Sequence, residues 1–162
     1  MRLVNLLENY INPQKTYYHG TNNKFNDFDL DATKENRGTN VTGVYFTPRE
    51  SEARNFGNRV IAANLVVKEP FFNNKKNSIS TPMLDEYREM LLRFTSMREH
   101  WIDSVKLPEF EEKGIFSHSM FDLNGDIKRE ILIAGGYDSY IDGDHVVVLH
   151  PKQQIKVIGE ME

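Results

Sequence analysis

Three short stretches hold the residue types that could do chemistry. In Tyr17-Tyr18-His19-Gly20-Thr21 an apolar run ends on an imidazole, a residue without a side chain and a hydroxyl. A ring nitrogen of His19 can bond a ligand hydroxyl, and the bare main chain of Gly20 can approach a planar polar group closely. In Gly43-Val44-Tyr45-Phe46-Thr47-Pro48 two consecutive aromatics sit where a strand would turn them to opposite faces. One can line a cleft, where its ring would attract a cationic heterocycle by stacking and by its quadrupole, while the other joins the core. In Asp142-Gly143-Asp144-His145-Val146-Val147-Val148 a polar turn opens a β-branched run. Alternation puts His145 on one face with Val147 and Leu149, and Asp144 on the other with Val146, Val148 and His150. Each piece alone has a plainer explanation: a hydrogen-bonded strand-end histidine, a core or rim tyrosine, a hairpin turn at Asp142-Gly143-Asp144. Their joint occurrence in this order is what points to a site.

These stretches need elements to carry them. Leu3, Val4, Leu6, Leu7, Tyr10 and Ile11 recur at helical spacing, predicting a packing helix ended before Pro13. A strand at 15–21 then runs into a long polar segment anchored only by Phe25, Phe28 and Leu30, and loops of that length are usually functional. After the strand at 41–48, the run from Arg49 reads as a short helix with Glu50 and Glu52 in its first turn and Gly57 at its C-cap. Residues 59–72 form an apolar β-rich run ended by Pro70, followed by a solvated loop whose Lys75-Lys76 pair is a surface feature. The longest helix should start with Thr81 as N-cap and Pro82 at its first position, its stripe running through Met83, Leu84, Tyr87, Met90, Leu91, Leu92, Phe94 and Met97 towards Trp101. A short helix, a Gly135-Gly136 break and two or three strands complete the chain. Strands with helices inserted between them, lacking regular strand-helix alternation, predict an α+β fold over 1–162 as one domain, with a helical insertion at about 81–106.

Composition narrows the function classes. With 20 basic and 24 acidic residues the net charge is −4, so there is no global positive field for a nucleic-acid backbone. The chain has no cysteine, which excludes disulfides, thiolate zinc sites and cysteine nucleophiles and fits a reducing, cytoplasmic compartment. No stretch approaches the roughly 18 apolar residues of a membrane span.

The ordered set of motifs resembles the ADP-ribosyltransferase superfamily, in the diphtheria-toxin and poly(ADP-ribose)-polymerase-like branch named for its His-Tyr-Glu signature. It is most similar to small phage and mobile-element transferases. The matching pieces are Tyr18-His19-Gly20-Thr21, Phe25 and Phe28, Gly43 to Thr47, Ala53 with Phe56-Gly57, Gly136-Tyr137-Asp138, and Val146 to Val148 with Pro151 and Gln154-Ile155-Lys156. The resemblance implies a split, mixed and antiparallel sheet core and cleavage of the nicotinamide–ribose bond of NAD+ through a transition state with oxocarbenium character. It assigns His19 to the adenosine-side ribose, the main chain of Gly20 to the carboxamide with Thr21 shaping that edge, Tyr45 to stacking on the nicotinamide, and Gly43 to a close approach of main chain to ligand. Arg37, in the polar segment, is a partner for the pyrophosphate.

The sequence departs from that pattern at the third signature residue, a Glu at the start of the last strand. Anchoring on Pro151 puts His145 there; a slip of one residue puts Asp144 there. Asp144 keeps the negative charge on a shorter side chain, whereas His145 could bond a hydroxyl but, if protonated, would not stabilise a cation. Gln154 is a third polar candidate. In polymer-forming relatives the Glu activates the acceptor for elongation, so its absence points to mono-transfer or to no transfer. The expected function is mono-ADP-ribosyl transfer from NAD+ to a macromolecular acceptor, a protein rather than a nucleic acid, by a phage or bacterial effector working in the host cytoplasm. The alternatives are a degenerate binding or inhibitor module and NAD+ hydrolysis. No metal is expected: Asp122-Leu123-Asn124-Gly125-Asp126 has its glycine at the fourth position where a calcium loop needs it at the sixth, and His100, His118, His145 and His150 lack zinc-ligand spacing.

Overall fold

In the computed structural model, residues 11–22, 42–116 and 125–161 are described. The expected N-terminal helix, Phe25, Phe28, Arg37, His118 and most of the calcium-like loop lie outside them. Seven strands form two sheets. The first has the order β1 (Tyr17–Thr21), β3 (Arg59–Leu65), β7 (Ile155–Met161), all antiparallel. The second has the order β2 (Val44–Phe46), β6 (His145–Val148), β5 (Ser139–Asp142), β4 (Pro70–Phe72), with β4 parallel to β5 and the other pairs antiparallel. The α+β architecture with a split, mixed sheet is as expected.

Side-chain alternation divides the core into two. Val44, Phe46, Ile141, Val146 and Val148 face the first sheet and pack with Tyr17, Ile61, Ala63 and Leu65. Phe71, Tyr140 and Val147 point the other way, into a helical layer. The middle of the second sheet is therefore covered on both faces, and that is why β6 continues past His145 as Val-Val-Val. The helical layer consists of α2 (Thr81–Phe94), α3 (Glu99–Trp101) running through a π-helical turn (Ile102–Lys106) into α4 (Leu107–Lys113), and α5 (Gly125–Ala134). Met83, Tyr87 and Leu91 of α2 meet Ile102, Phe110, Ile131 and Leu132, with Tyr87 edge-on to Phe110 at 5.3 Å.

Some boundaries differ from expectation. Ser80, not Thr81, is the N-cap of α2, because Ser80 keeps an extended backbone while its carbonyl accepts from Met83 and Leu84. The apolar stripe does not continue to Trp101. Thr95 leaves the helical region and bonds back to Leu91 through its hydroxyl, leaving Leu92 and Phe94 exposed, and a new helix starts after Arg98 and reaches Lys113, so the insertion outlasts residue 106. Pro70 opens a strand instead of ending one, since its missing N–H costs nothing at the first position of the edge strand β4. Gly57 has an extended backbone and is no left-handed cap.

Two motif residues hold loops in place. Asp138 accepts the N–H groups of Lys68 and Glu69 at 2.9 and 3.0 Å and the hydroxyl of Ser139, fixing the β3–β4 connection. Gln154 accepts from the N–H of His150 and donates to the carbonyl of Val66, which pins the start of β7 and gives Gln154 a structural task. Replacing Asp138 by Ala strands two main-chain donors and should cost about 2 kcal/mol. Urea unfolding checks it: a smaller loss for Asp138→Asn, which keeps one acceptor, is expected, and an unchanged midpoint for Asp138→Ala would contradict this assignment.

Candidate functional site

Among the described residues, one main-chain bridge joins the two sheets. Tyr18 and Thr47 exchange main-chain hydrogen bonds of 2.8 and 2.9 Å, and no ladder continues from this bridge between β1 and β2 among the described residues. Peptide groups along a strand point alternately to its two edges. Tyr18 points to β2, so Gly20 turns its N–H and C=O to that same edge, where the strands have parted. The side chain of His19 enters the gap. Its ring lies 5.6 Å from that of Phe46, and Nδ1 donates to the carbonyl oxygen of Tyr45 at 2.8 Å. A carbonyl only accepts, so Nδ1 carries the proton. At 7% exposure the imidazole is a wedge between the sheets.

Above β1 lies α1 (Glu50–Ala53) with the 3-10 turn Arg54–Phe56 that follows it. A Cβ on Gly20 would stand 1.7 Å from the carbonyl oxygen of Ala53, and one on Gly57 would stand 2.1 Å from the carbonyl carbon of Thr21. The absent side chain of Gly20 thus makes room for α1, while its main-chain groups remain at the parted edge. Gly43 is required for a similar reason, its Cβ position lying 2.3 Å from the carbonyl oxygen of Val148. Ala53 and Thr21 are buried, and Phe56, next to Gly57, is 71% exposed.

Tyr45 stands opposite Val147, which on its other side stands opposite Tyr140. Its phenol therefore leaves β2 on the face away from Phe46, and His19 meets Tyr45 through main chain, not through the ring. Phe46 is in the core as expected, and Tyr45 is 51% exposed. Burial, with a smaller contribution from the Asp142 charge, raises the pKa of the Tyr45 hydroxyl.

On the Tyr45 face, side chains from three elements join. Asp142 and His145 are cross-strand partners around the turn Gly143-Asp144, with Gly143 at φ +64°. His145 Nε2 lies 3.0 Å from Glu52 Oε2, which also accepts from Thr47 Oγ1 at 2.5 Å. Arg49 donates to Glu52 Oε1 at 2.5 Å and grips Asp144 through both terminal nitrogens, at 2.5 and 3.3 Å. Hydrogen bonds from Thr47, Arg49 and His145, in that order, hold the Glu52 carboxyl down to about 2, and the Arg49 contact lowers that of Asp144. The ligand atoms of Glu52, Asp144 and His145 lie within 4.8 Å of one another. The Arg49 guanidinium is shared between the two carboxylates and offsets one of their two negative charges.

A family model described as an ADP-ribosyltransferase in polyvalent proteins matches residues 13–161. The chain belongs to that family. A crystal structure described as that of an anti-CRISPR protein shares the fold, with a TM-score of 0.51 at 11% identity over 88% of this chain and 94% of that one. No curated protein matches the sequence.

The cluster brings to the hairpin a second carboxylate, from outside it, beside that of Asp144. Glu52 reaches the His145 position from α1, across 93 residues of chain. Local sequence shows it only as a first-turn helix residue, and nothing in the spacing marks the contact. Phe56 was readable as a motif residue, but its exposure beside the strand end was not. Folded Glu52 titrates at about 2 against an ordinary 4.5. The sign follows: its contribution to stability is present above pH 4.5 and is lost as pH falls towards 2. Urea midpoints of the protein and of Glu52→Gln should therefore converge over that window, and a pH-independent gap would show that the cluster does not form.

Proposed function

We propose that the protein transfers single ADP-ribose units from NAD+ to a macromolecular acceptor and releases nicotinamide. The observation that carries this reading is the β1–β2 edge that parts after the Tyr18–Thr47 bridge, toward which strand alternation turns the N–H and C=O of Gly20, in a member of an ADP-ribosyltransferase family. A planar carboxamide has one donor side and one acceptor side, matching the N–H and C=O of one strand residue. The exposed rings of Phe56 and Tyr45 offer faces for a cationic pyridinium. His19 and Thr21 sit at the strand end for the ribose, and Arg37 remains the pyrophosphate partner. Of the two residues that could stand for the family Glu, His145 fits better, because both oxygens of Asp144 are held by Arg49. The setting we infer is a phage or mobile-element effector acting in a bacterial cytoplasm, which agrees with a cysteine-free chain.

One observation favours a second reading. The hairpin carboxylate nearest the family Glu position is neutralised by Arg49, as would suit a module that binds NAD+ without cleaving it. Incubation with labelled NAD+ and a cell lysate separates the two. Transfer predicts nicotinamide release and label on macromolecules, both reduced about 100-fold or more in a Tyr45→Ala, Phe56→Ala, His19→Ala series. Calorimetric binding without nicotinamide release would establish the second reading, and release without label on any acceptor would mean hydrolysis.

A further inference from the structure

We propose that His145 is the general base that deprotonates the acceptor, that Glu52 is the positioning residue that fixes its tautomer, and that the acceptor is a protein hydroxyl. This inference rests on the transfer reading above. Both oxygens of Glu52 are occupied, Oε2 by Thr47 and His145 and Oε1 by Arg49. Three of the roughly four lone-pair sites of this carboxylate are taken, and Glu52 acts through the imidazole it holds. An ionised carboxylate only accepts, so Nε2 of His145 must carry the proton and, in the neutral ring, Nδ1 must present the lone pair. Nδ1 has no hydrogen-bond partner among the described residues, and the side chain is 41% exposed. The cross-strand register sets His145 on the same face as Tyr45, two positions along β6 from the Tyr45 partner Val147.

A base is useful only to a nucleophile that carries a proton at working pH. That excludes a carboxylate acceptor, which is already ionised, and suits a hydroxyl, which gives up its proton as its oxygen bonds to the ribose. In the proposed step the hydroxyl oxygen bonds to C1′ of the ribose as the C1′–N bond to nicotinamide breaks. The bonding pair goes to the pyridine nitrogen, cancelling its positive charge, and the hydroxyl proton passes to Nδ1 of His145 and then to solvent. Charge selects the partner. Asp142 and Asp144 flank His145 in the hairpin and Glu52 faces it from α1, while Arg49, the cation of the cluster, is shared between Glu52 and Asp144. This surface repels a phosphodiester backbone and suits a serine or threonine beside basic residues.

The test measures label transfer to lysate proteins against pH for the protein, Glu52→Gln, His145→Gln and Glu50→Gln. Glu50 pairs with Arg54 on the surface and serves as the neighbouring control. Expected are label that survives neutral hydroxylamine, a rate loss of about 100-fold for His145→Gln, and a loss of about 10-fold or more for Glu52→Gln. In Glu52→Gln the loss should fall on kcat, and NAD+ affinity by calorimetry should stay within about twofold. If Glu52→Gln does not fold, Thr47→Val and Glu52→Asp give the same readouts. A Glu52→Gln enzyme with unchanged rate, or a hydroxylamine-labile label, overturns this inference and leaves the transfer reading standing. A wild-type protein that neither binds NAD+ nor releases nicotinamide removes both.

Discussion

One hydrogen bond sets the shape of the site. The bond from His19 Nδ1 to the carbonyl of Tyr45 joins the two sheets just beyond the place where their ladder stops, and the ring behind it fills the gap against Phe46. Its net worth is about 1 kcal/mol, but the alternative is a buried imidazole and a carbonyl without a partner, at about 1–3 kcal/mol each. Closing β1 onto β2 would give Gly20 a ladder partner and would have to expel the imidazole. The open edge therefore persists because a side chain occupies the space that a continuous sheet would use.

An open edge is useful to a ligand only if its neighbours are rigid, and the rest of the fold supplies that rigidity. The second sheet is buried on both faces, so β2 cannot shift without disturbing the packing of Phe46 on one side or Val147 on the other. The first sheet is held at the other end by Asp138 and Gln154, whose side chains clamp the loops flanking β3 and β7. The third support is α1. Its contact with β1 is main chain against main chain, made possible by glycine at 20 and 57 and by the small Ala53, and Phe56 is left outside as a consequence. These contacts leave no room for a side chain at either glycine, so the strand end and the helix that carries Glu52 move as one piece.

Much of this was legible from residue order. The strand at His19, the burial of Phe46 and the Asp142–His145 hairpin follow from alternation and turn chemistry, both local in sequence. The resemblance to an ADP-ribosyltransferase is borne out at the level of the family, whose match covers 13–161. What was not legible depends on distance along the chain. Gly20 reads as a ligand contact, and only the approach of Ala53 shows why a Cβ is forbidden there. Tyr45 and His19 read as side chains lining one cleft, yet the phenol leaves β2 on the face away from Phe46 while the imidazole lies against Phe46 and meets Tyr45 through main chain. Gln154 reads as a site residue, and its partners at His150 and Val66 make it a clamp. The end of α2 at Thr95 was missed because a side-chain bond to Leu91 competes with the next helical turn, while the apolar stripe continues past it.

The absence of the family Glu need not mean the absence of its electrostatic effect. A developing oxocarbenium ion responds to the field at its position, whether or not a carboxylate touches it. Asp142, Asp144 and Glu52 bring three negative charges to the Tyr45 face and Arg49 returns one positive charge, so the described cluster carries a net charge of minus two with His145 neutral. Hydrogen bonds from Thr47, then Arg49, then His145 keep Glu52 ionised beside Asp144. The contact with Arg49 also engages both oxygens of Asp144. On the proposed reading the division is unlike a single catalytic Glu: the field comes from the cluster as a whole, and proton transfer falls to His145, whose Nδ1 has no partner among the described residues.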